Sequence, residues 1–278
     1  MKLKFRLSFL LAAVIAITYT ACKKSSTTTS DPTITPDVVA GQVAVNVYQS
    51  LFGGLGAFDV SGGLGAPSTL GVHANDISRG LTTPFAAYGT LPKPKVTTHN
   101  FATDPTCGQS IDTTLSVSGA SNGGSATITG SVKFNYICTN NVVSGFTTND
   151  NLTIVLASPS LNFSYKVGEN LTLLSLNPAD DNANLSLNGS LTSNGSYKFN
   201  TGTKRSGSEI FDYTLTQLII SPTLGDVVSG SATFNTSGTG PKGVWNYSGT
   251  MVFQGNHLAT VTINGKVYHV NLQTGAVS

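Results

Sequence analysis

Charge is scarce in this chain: only 10% of its 278 residues are Asp, Glu, Lys or Arg. Cysteine occurs three times and tryptophan once. No apolar run reaches the roughly 20 residues that a membrane-spanning helix needs. Each shortage excludes something. Lys and Arg are too few and too scattered to neutralise a run of phosphates, so nucleic-acid binding is not expected. Carboxylates are sparse, and no pair can be placed across a cleft for acid–base work. No Gly-x-Ser-x-Gly, phosphate-binding loop or dinucleotide fingerprint occurs. No Cys-x-x-Cys spacing supports a metal, and His73, His99, His257 and His269 have no ligand spacing. Asp180-Asp181-Asn182 and Asn149-Asp150-Asn151 look faintly like calcium loops. They lack the ordered oxygens and closing Glu, so they read as turns. The sequence therefore points away from an enzyme and implies neither cofactor nor metal; a hydrolase is the least favoured class.

What is present begins at the N-terminus. Lys2, Lys4 and Arg6 make a positive start, Leu7 to Ile17 is apolar apart from Ser8, and Thr20-Ala21 brings small residues to Cys22. That layout is a secretory signal over residues 1–21. Its end resembles the signal of bacterial lipoproteins, in which cysteine follows the cut and its sulfur carries a diacylglycerol. The resemblance implies lipidation of Cys22 and attachment to the membrane of the cell envelope. Residues 22–36 are rich in Ser, Thr and Pro and should form a flexible tether. The tether departs from the acidic motif that exports some lipoproteins. Outer-membrane attachment is expected, with the periplasmic or surface face left open. Cutting before Cys22 removes three of the 15 basic groups and none of the 13 acidic ones, so the net charge passes from +2 to −1.

Residues 37–278 are expected to form one β-rich domain. Asp37 can cap a helix over 37–52, where Val39, Val43, Val47 and Leu51 share one face. Residues 53–108, with glycines and scattered prolines, read as a loop-rich arm. From about 109 the pattern alternates apolar and polar, with 30 glycines in the whole chain and many Ser, Thr and Asn. This predicts a mainly all-β fold. An antiparallel, hairpin-connected sheet would curl into a sandwich, barrel or half-barrel, accompanied by the one helix. Asn122-Gly123, Asn194-Gly195 and Asn264-Gly265 are the strong hairpin signals, with Gly168-Glu169-Asn170 and Gly255-Asn256 weaker. A motif Gly-Ser/Thr-x-x-Phe-Asn/Gln recurs at 130–135, 195–200, 230–235 and 249–254, as if successive strands met one sheet in the same phase.

Five aromatic-x-aromatic pairs stand out: Phe134/Tyr136, Phe163/Tyr165, Tyr197/Phe199, Phe211/Tyr213 and Trp245/Tyr247. Residues i and i+2 of a strand share a face, so the ten rings would form one layer. They either fill a core or line a ligand cavity. At the C-terminus the Asn264-Gly265 turn sets Val261 opposite Tyr268 and places His269 on the wet face. An odd loop or bulge at 255–257 is needed to align Phe253 with Ala259 and Met251 with Val261.

Setting Cys22 aside leaves Cys107 and Cys138. An even pair in an oxidising compartment favours a disulfide. Pairing about Asn122-Gly123 would bring them together at the end remote from that turn. The sequence thus supports a non-catalytic envelope lipoprotein with a binding or structural role, its partner a hydrophobic small molecule or an envelope protein. The alternative is a surface glycan-binding or adhesion module.

Overall fold

A computed structural model describes residues 33–52, 60–69, 106–121, 124–202 and 205–278. The segment expected as a signal, Cys22, most of the expected tether and arm, His73 and His99 lie outside the described residues. Ten strands follow in chain order as one antiparallel meander, each paired with its sequence neighbours. They are β1 (Ser110–Ser121), β2 (Gly124–Thr139), β3 (Val142–Ala157), β4 (Leu161–Ser175) and β5 (Leu185–Phe199). Then come β6 (Ser206–Ser221), β7 (Asp226–Gly240), β8 (Gly243–Gly255), β9 (Leu258–Ile263) and β10 (Lys266–Asn271). Among the described residues no ladder joins β10 to β1, so the sheet stays open and curls around the single α-helix, α1 (Pro36–Leu51).

The period-2 pattern produces this arrangement. Along β4, Leu161, Phe163, Tyr165, Val167, Leu171 and Leu173 are buried, while the alternate positions carry Asn, Ser, Lys, Gly and Thr. One face must therefore be covered. α1 covers it with the expected stripe, Val39, Val43, Val47 and Leu51, all sealed, and packs against β6, β9 and β10. A short 3-10 segment, Val60–Thr69, packs against β3 and β6 within the stretch expected as loop. Before the helix, Ile34 donates its N–H to the Val244 carbonyl at 2.9 Å. β9 pairs with β8 only from Gly249 onward, so Thr33 and Ile34 occupy the part of β8 that β9 leaves open.

Two hairpins have the expected register. Ser110 pairs with Asn135 and Ser121 with Gly124, and the same alignment sets position 107 opposite 138. Cys107 and Cys138 are bonded there, their Cα atoms 5.8 Å apart. At the C-terminus Val261 faces Tyr268 and His269 faces Thr260. The bulge needed near 255 lies between Phe253 and Gly255, and it aligns Phe253 with Ala259 and Met251 with Val261. Asn256 and His257 both have positive φ, as the tight turn requires.

Other expectations are corrected. Asn194-Gly195 is no turn: both residues lie inside β5, paired with β4 and β6. Gly168-Glu169-Asn170 lies inside β4, and Asn149-Asp150-Asn151 inside β3. These strands run to 15 or 16 residues, well beyond the usual 5–6, and pairing on both sides outweighs the local turn preference of Asn and Gly. Asp180-Asp181-Asn182 does form a turn, with the Asn182 N–H bonded to Asp180 Oδ1. At the helix start Thr35 is the N-cap and Pro36 the first helical residue. Asp37 sits in the first turn, where the Thr35 side chain bonds to it and holds its pKa below the usual value.

Candidate functional site: the inner face of the sheet

All ten rings of the aromatic pairs have inward parity, but they do not share one environment. Phe134, Tyr136, Phe163, Tyr165, Phe199, Phe211, Tyr213 and Trp245 are buried, whereas Tyr197 and Tyr247 stay half-buried. Phe163 stacks with Tyr165, and Phe211 with Tyr213. Much of the layer is therefore core. The four phenylalanines of the recurrent motif, Phe134, Phe199, Phe234 and Phe253, are all buried inward, which is the common phase expected of them. Tyr247 has a structural bond, its hydroxyl donating to the Ile34 carbonyl at 2.9 Å. Trp245 donates its indole N–H to Thr236 Oγ1 at 3.0 Å.

Beyond the Trp245–Thr236 pair, three polar clusters on this face carry most of its chemistry. First, α1 places Asn46 over β4–β6. Its amide donates to the Tyr165 hydroxyl at 3.3 Å and accepts from Tyr213 at 3.1 Å and Ser193 at 3.3 Å. The Tyr213 hydroxyl also reaches the Val43 carbonyl. Buried polar atoms need such partners, and these bonds fix the helix register against the sheet. Burial raises both phenols above their ordinary range.

Second, Asp150 of β3 and Glu169 of β4 are direct cross-strand neighbours, both buried. The β2–β3 ladder is interrupted between Ser131 and Phe134, and there the Lys133 N–H donates to Asp150 Oδ1 at 2.9 Å. The Thr148 hydroxyl donates to the other oxygen. The carboxylate thus stands in for a missing backbone acceptor. Burial pushes its pKa up to about 6, against the pull of these two bonds. Reading 149–151 as a turn concealed this pair.

Third, Glu209 of β6 projects inward between two glycines, with Gly195 as its partner on β5 and Gly238 on β7. Its surface is partly accessible, yet protein surrounds it at longer range, and burial raises its pKa to about 7. The Tyr165 and Tyr213 phenols share this inner face and are near enough for its charge to raise their pKa further, beyond the larger effect of burial. Among the described residues no hydrogen bond or ion pair reaches its carboxylate. The sequence held one sign of this: Glu209 shares the parity of Phe211 and Tyr213, so it had to face inward.

The two described histidines, His257 and His269, stay outside this chemistry. His269 sits on the wet face, 3.4 Å from Thr260 Oγ1. His257 lies in its turn, where Asp226 accepts its backbone N–H at 3.0 Å and stands 3.2 Å from Nδ1. Tyr48 of α1 meets the imidazole edge-on. Nδ1 and Asp226 Oδ1 are close but not aligned as a hydrogen bond; the backbone bond ties the turn to β7 and the Tyr48 ring packs it against the helix.

The outer face is of another kind. Thr214, Thr233, Thr250 and Thr262 stand in one row across β6–β9. Hydroxyls on β-branched stems suit a wet pleated surface, which is how the sheet stays hydrophilic with so little charge. A shallow hollow of about 520 Å³ lies toward the end of β3–β7, with Asn162, Ser196, Lys198 and Ser208 on its rim. No helix among the described residues is long and apolar enough to cross a membrane. No family model, no curated protein and no solved structure matches this chain.

Proposed function

We propose that this chain is a non-catalytic lipoprotein of the bacterial cell envelope. It is held to the membrane through lipidated Cys22, and its β-domain binds a small, largely apolar ligand at one end of the inner face. One observation carries the binding reading: a ring and a carboxylate meet accessible space there rather than only their neighbours. Tyr197 is half-buried and Glu209 partly accessible, whereas the rows nearer α1's C-terminal end close on Leu173, Leu187, Leu218 and Phe253. Ligand sites are mostly apolar and carry few polar groups, which fix orientation. The signal-shaped N-terminus ending on Cys22 supports the envelope address.

The full-length protein, purified from membranes, is the material for the test. Mass spectrometry of an organic extract should yield a stoichiometric small molecule beyond bulk phospholipid. An empty extract that also fails to refill on incubation with apolar compounds ends the carrier reading. Cys22→Ser should release the protein from the membrane fraction; retention of that variant ends the anchor.

A second reading, a glycan-binding module, draws on the hydroxyl- and amide-rimmed outer hollow. Trp245, its best aromatic candidate, is only 6% exposed and faces inward. Long-wavelength, iodide-quenchable Trp245 fluorescence would favour the glycan reading over the carrier.

A further inference from the structure

The following inference rests on the binding reading above and gives the ligand its chemistry. Glu209 lies in a part of the inner face where three rings cover glycines on its own and the flanking strands. From β4, the Tyr165 ring reaches over Gly195, with Cδ2 3.3 Å from where a Cβ would stand. On that same glycine lies the Glu209 side chain, with Oε1 also 3.3 Å from the Cβ position. From β5, Tyr197 covers Gly207 of β6, two residues before Glu209, with Cε1 at 2.6 Å. From β8, the Trp245 ring lies over Gly238 so closely that any Cβ there would collide with it. Gly195 and Gly238 are Glu209's own cross-strand neighbours. The cleared positions therefore let rings approach from both sides of the strand that carries the carboxylate.

Rings over glycines are ordinary packing by themselves. An unpartnered carboxylate among them is not, because an ionised group without a partner in such surroundings is costly. Aromatic faces carry negative potential and attract cations, most strongly where water is excluded. Carboxylate and rings thus favour the same occupant. A metal ion does not fit, since it needs several oxygen, nitrogen or sulfur ligands. No cluster of three His, Cys, Asp or Glu able to hold one occurs among the described residues. A neutral apolar ligand would deepen the desolvation of Glu209 and return nothing to it.

We propose that Glu209, with the rings of Tyr165, Tyr197 and Trp245, forms a site for a small organic cation, a quaternary ammonium or protonated amine carrying an apolar body.

The chain has a single tryptophan, so Trp245 emission reports on this place alone. The test titrates the full-length protein with choline and with 3,3-dimethylbutan-1-ol, which has the same shape without the charge. Choline should change the emission saturably and bind at least about ten-fold more tightly than the alcohol. Glu209→Gln should bring the two within about two-fold of each other, near-ultraviolet circular dichroism serving as the check on folding. Tyr197→Leu, at a half-buried position, should weaken choline more than the alcohol, and it keeps the test decisive should Glu209→Gln not fold. Equal binding of choline and alcohol overturns the cation site while leaving an apolar site standing. So does a choline affinity that neither variant changes. No saturable response to choline in the unmodified protein overturns the cation site whatever the extract contains, and an empty extract besides removes the binding reading as well.

Discussion

The two ends of the curled sheet are built from the same alternating strands and packed by different rules. At the end carrying the 222–225 and 256–257 turns, inward positions hold Leu173, Leu187, Leu218, Phe253 and Val270, sealed under Leu51 and Leu272. Polar groups there tie one element to another. Tyr48 donates to the Gly225 carbonyl, Gln273 donates to Tyr48, and Asp226 holds the His257 turn. The disulfide closes the same end. At the other end, with the 158–160 and 200–205 connections, the inward positions of β5–β8 include Gly195, Gly207, Gly238, Gly240 and Gly243. Their missing side chains are replaced by rings from neighbouring strands and by one carboxylate. Side chains that interlock leave nothing to displace. Rings laid over glycine can be moved aside at smaller cost, and a ligand site needs such freedom.

The largest effect should come from the sealed end. Leu187→Ala removes a fully buried side chain and should lower stability by about 2–5 kcal/mol in denaturant unfolding. Tyr197→Ala, at the glycine-rich end, should cost less than half as much. Equal losses would mean the two ends are packed alike. Opening the disulfide follows in size. Cys107→Ser should cost roughly 2–4 kcal/mol while leaving the C-terminal sheet folded. Thiol titration of the native protein should find no reactive thiol at Cys107 or Cys138.

Next comes a pH effect confined to the inner face. Glu209 has its pKa raised from 4.5 to about 7. Between those values the folded chain keeps a proton that the unfolded chain has released. Its contribution to stability is therefore complete below about 4.5 and is lost as pH rises through about 7. Asp150, raised to about 6, adds a slope of the same sign. Glu209→Gln should flatten the decline between pH 4.5 and 7. The gain at pH 8 should be on the order of 1–3 kcal/mol, measured by thermal or denaturant unfolding across pH. An unchanged slope in the variant would place Glu209 in water. The smallest effect belongs to the outer face. Thr233→Ser, within the exposed threonine row, should shift stability by no more than about 0.5 kcal/mol. A larger loss would show that the row contributes more than solubility.

Much of the sheet was legible because its signals are local. Alternation marked the faces, and the register shared by Cys107/Cys138 and Ser110/Asn135 is a property of one hairpin. The bulge beside Gly255 followed from requiring apolar residues to face one another. Glu209 and Asp150 escaped notice for a different reason. Each is the lone acidic residue on the inward side of its own strand, and nothing near them in sequence says which strands will flank them. Asn194-Gly195 misled because its turn preference is local while the pairing that overrides it comes from Phe163–Gly168 and Gly207–Asp212, tens of residues away.

The sequence by itself determined the alternating faces, the helix stripe, the hairpins about 122–123 and 264–265, and the cysteine pairing. Each depends on side-chain period or on turn chemistry within a few dozen residues. Only the tertiary structure decided which glycines end a strand and which make room inside one. It also decided that Gly195, Gly238 and Glu209 share a row, and that Asn46 would find Tyr165, Ser193 and Tyr213. Those neighbours are set by how successive ladders stack, and register accumulates across strands in a way that no single segment encodes.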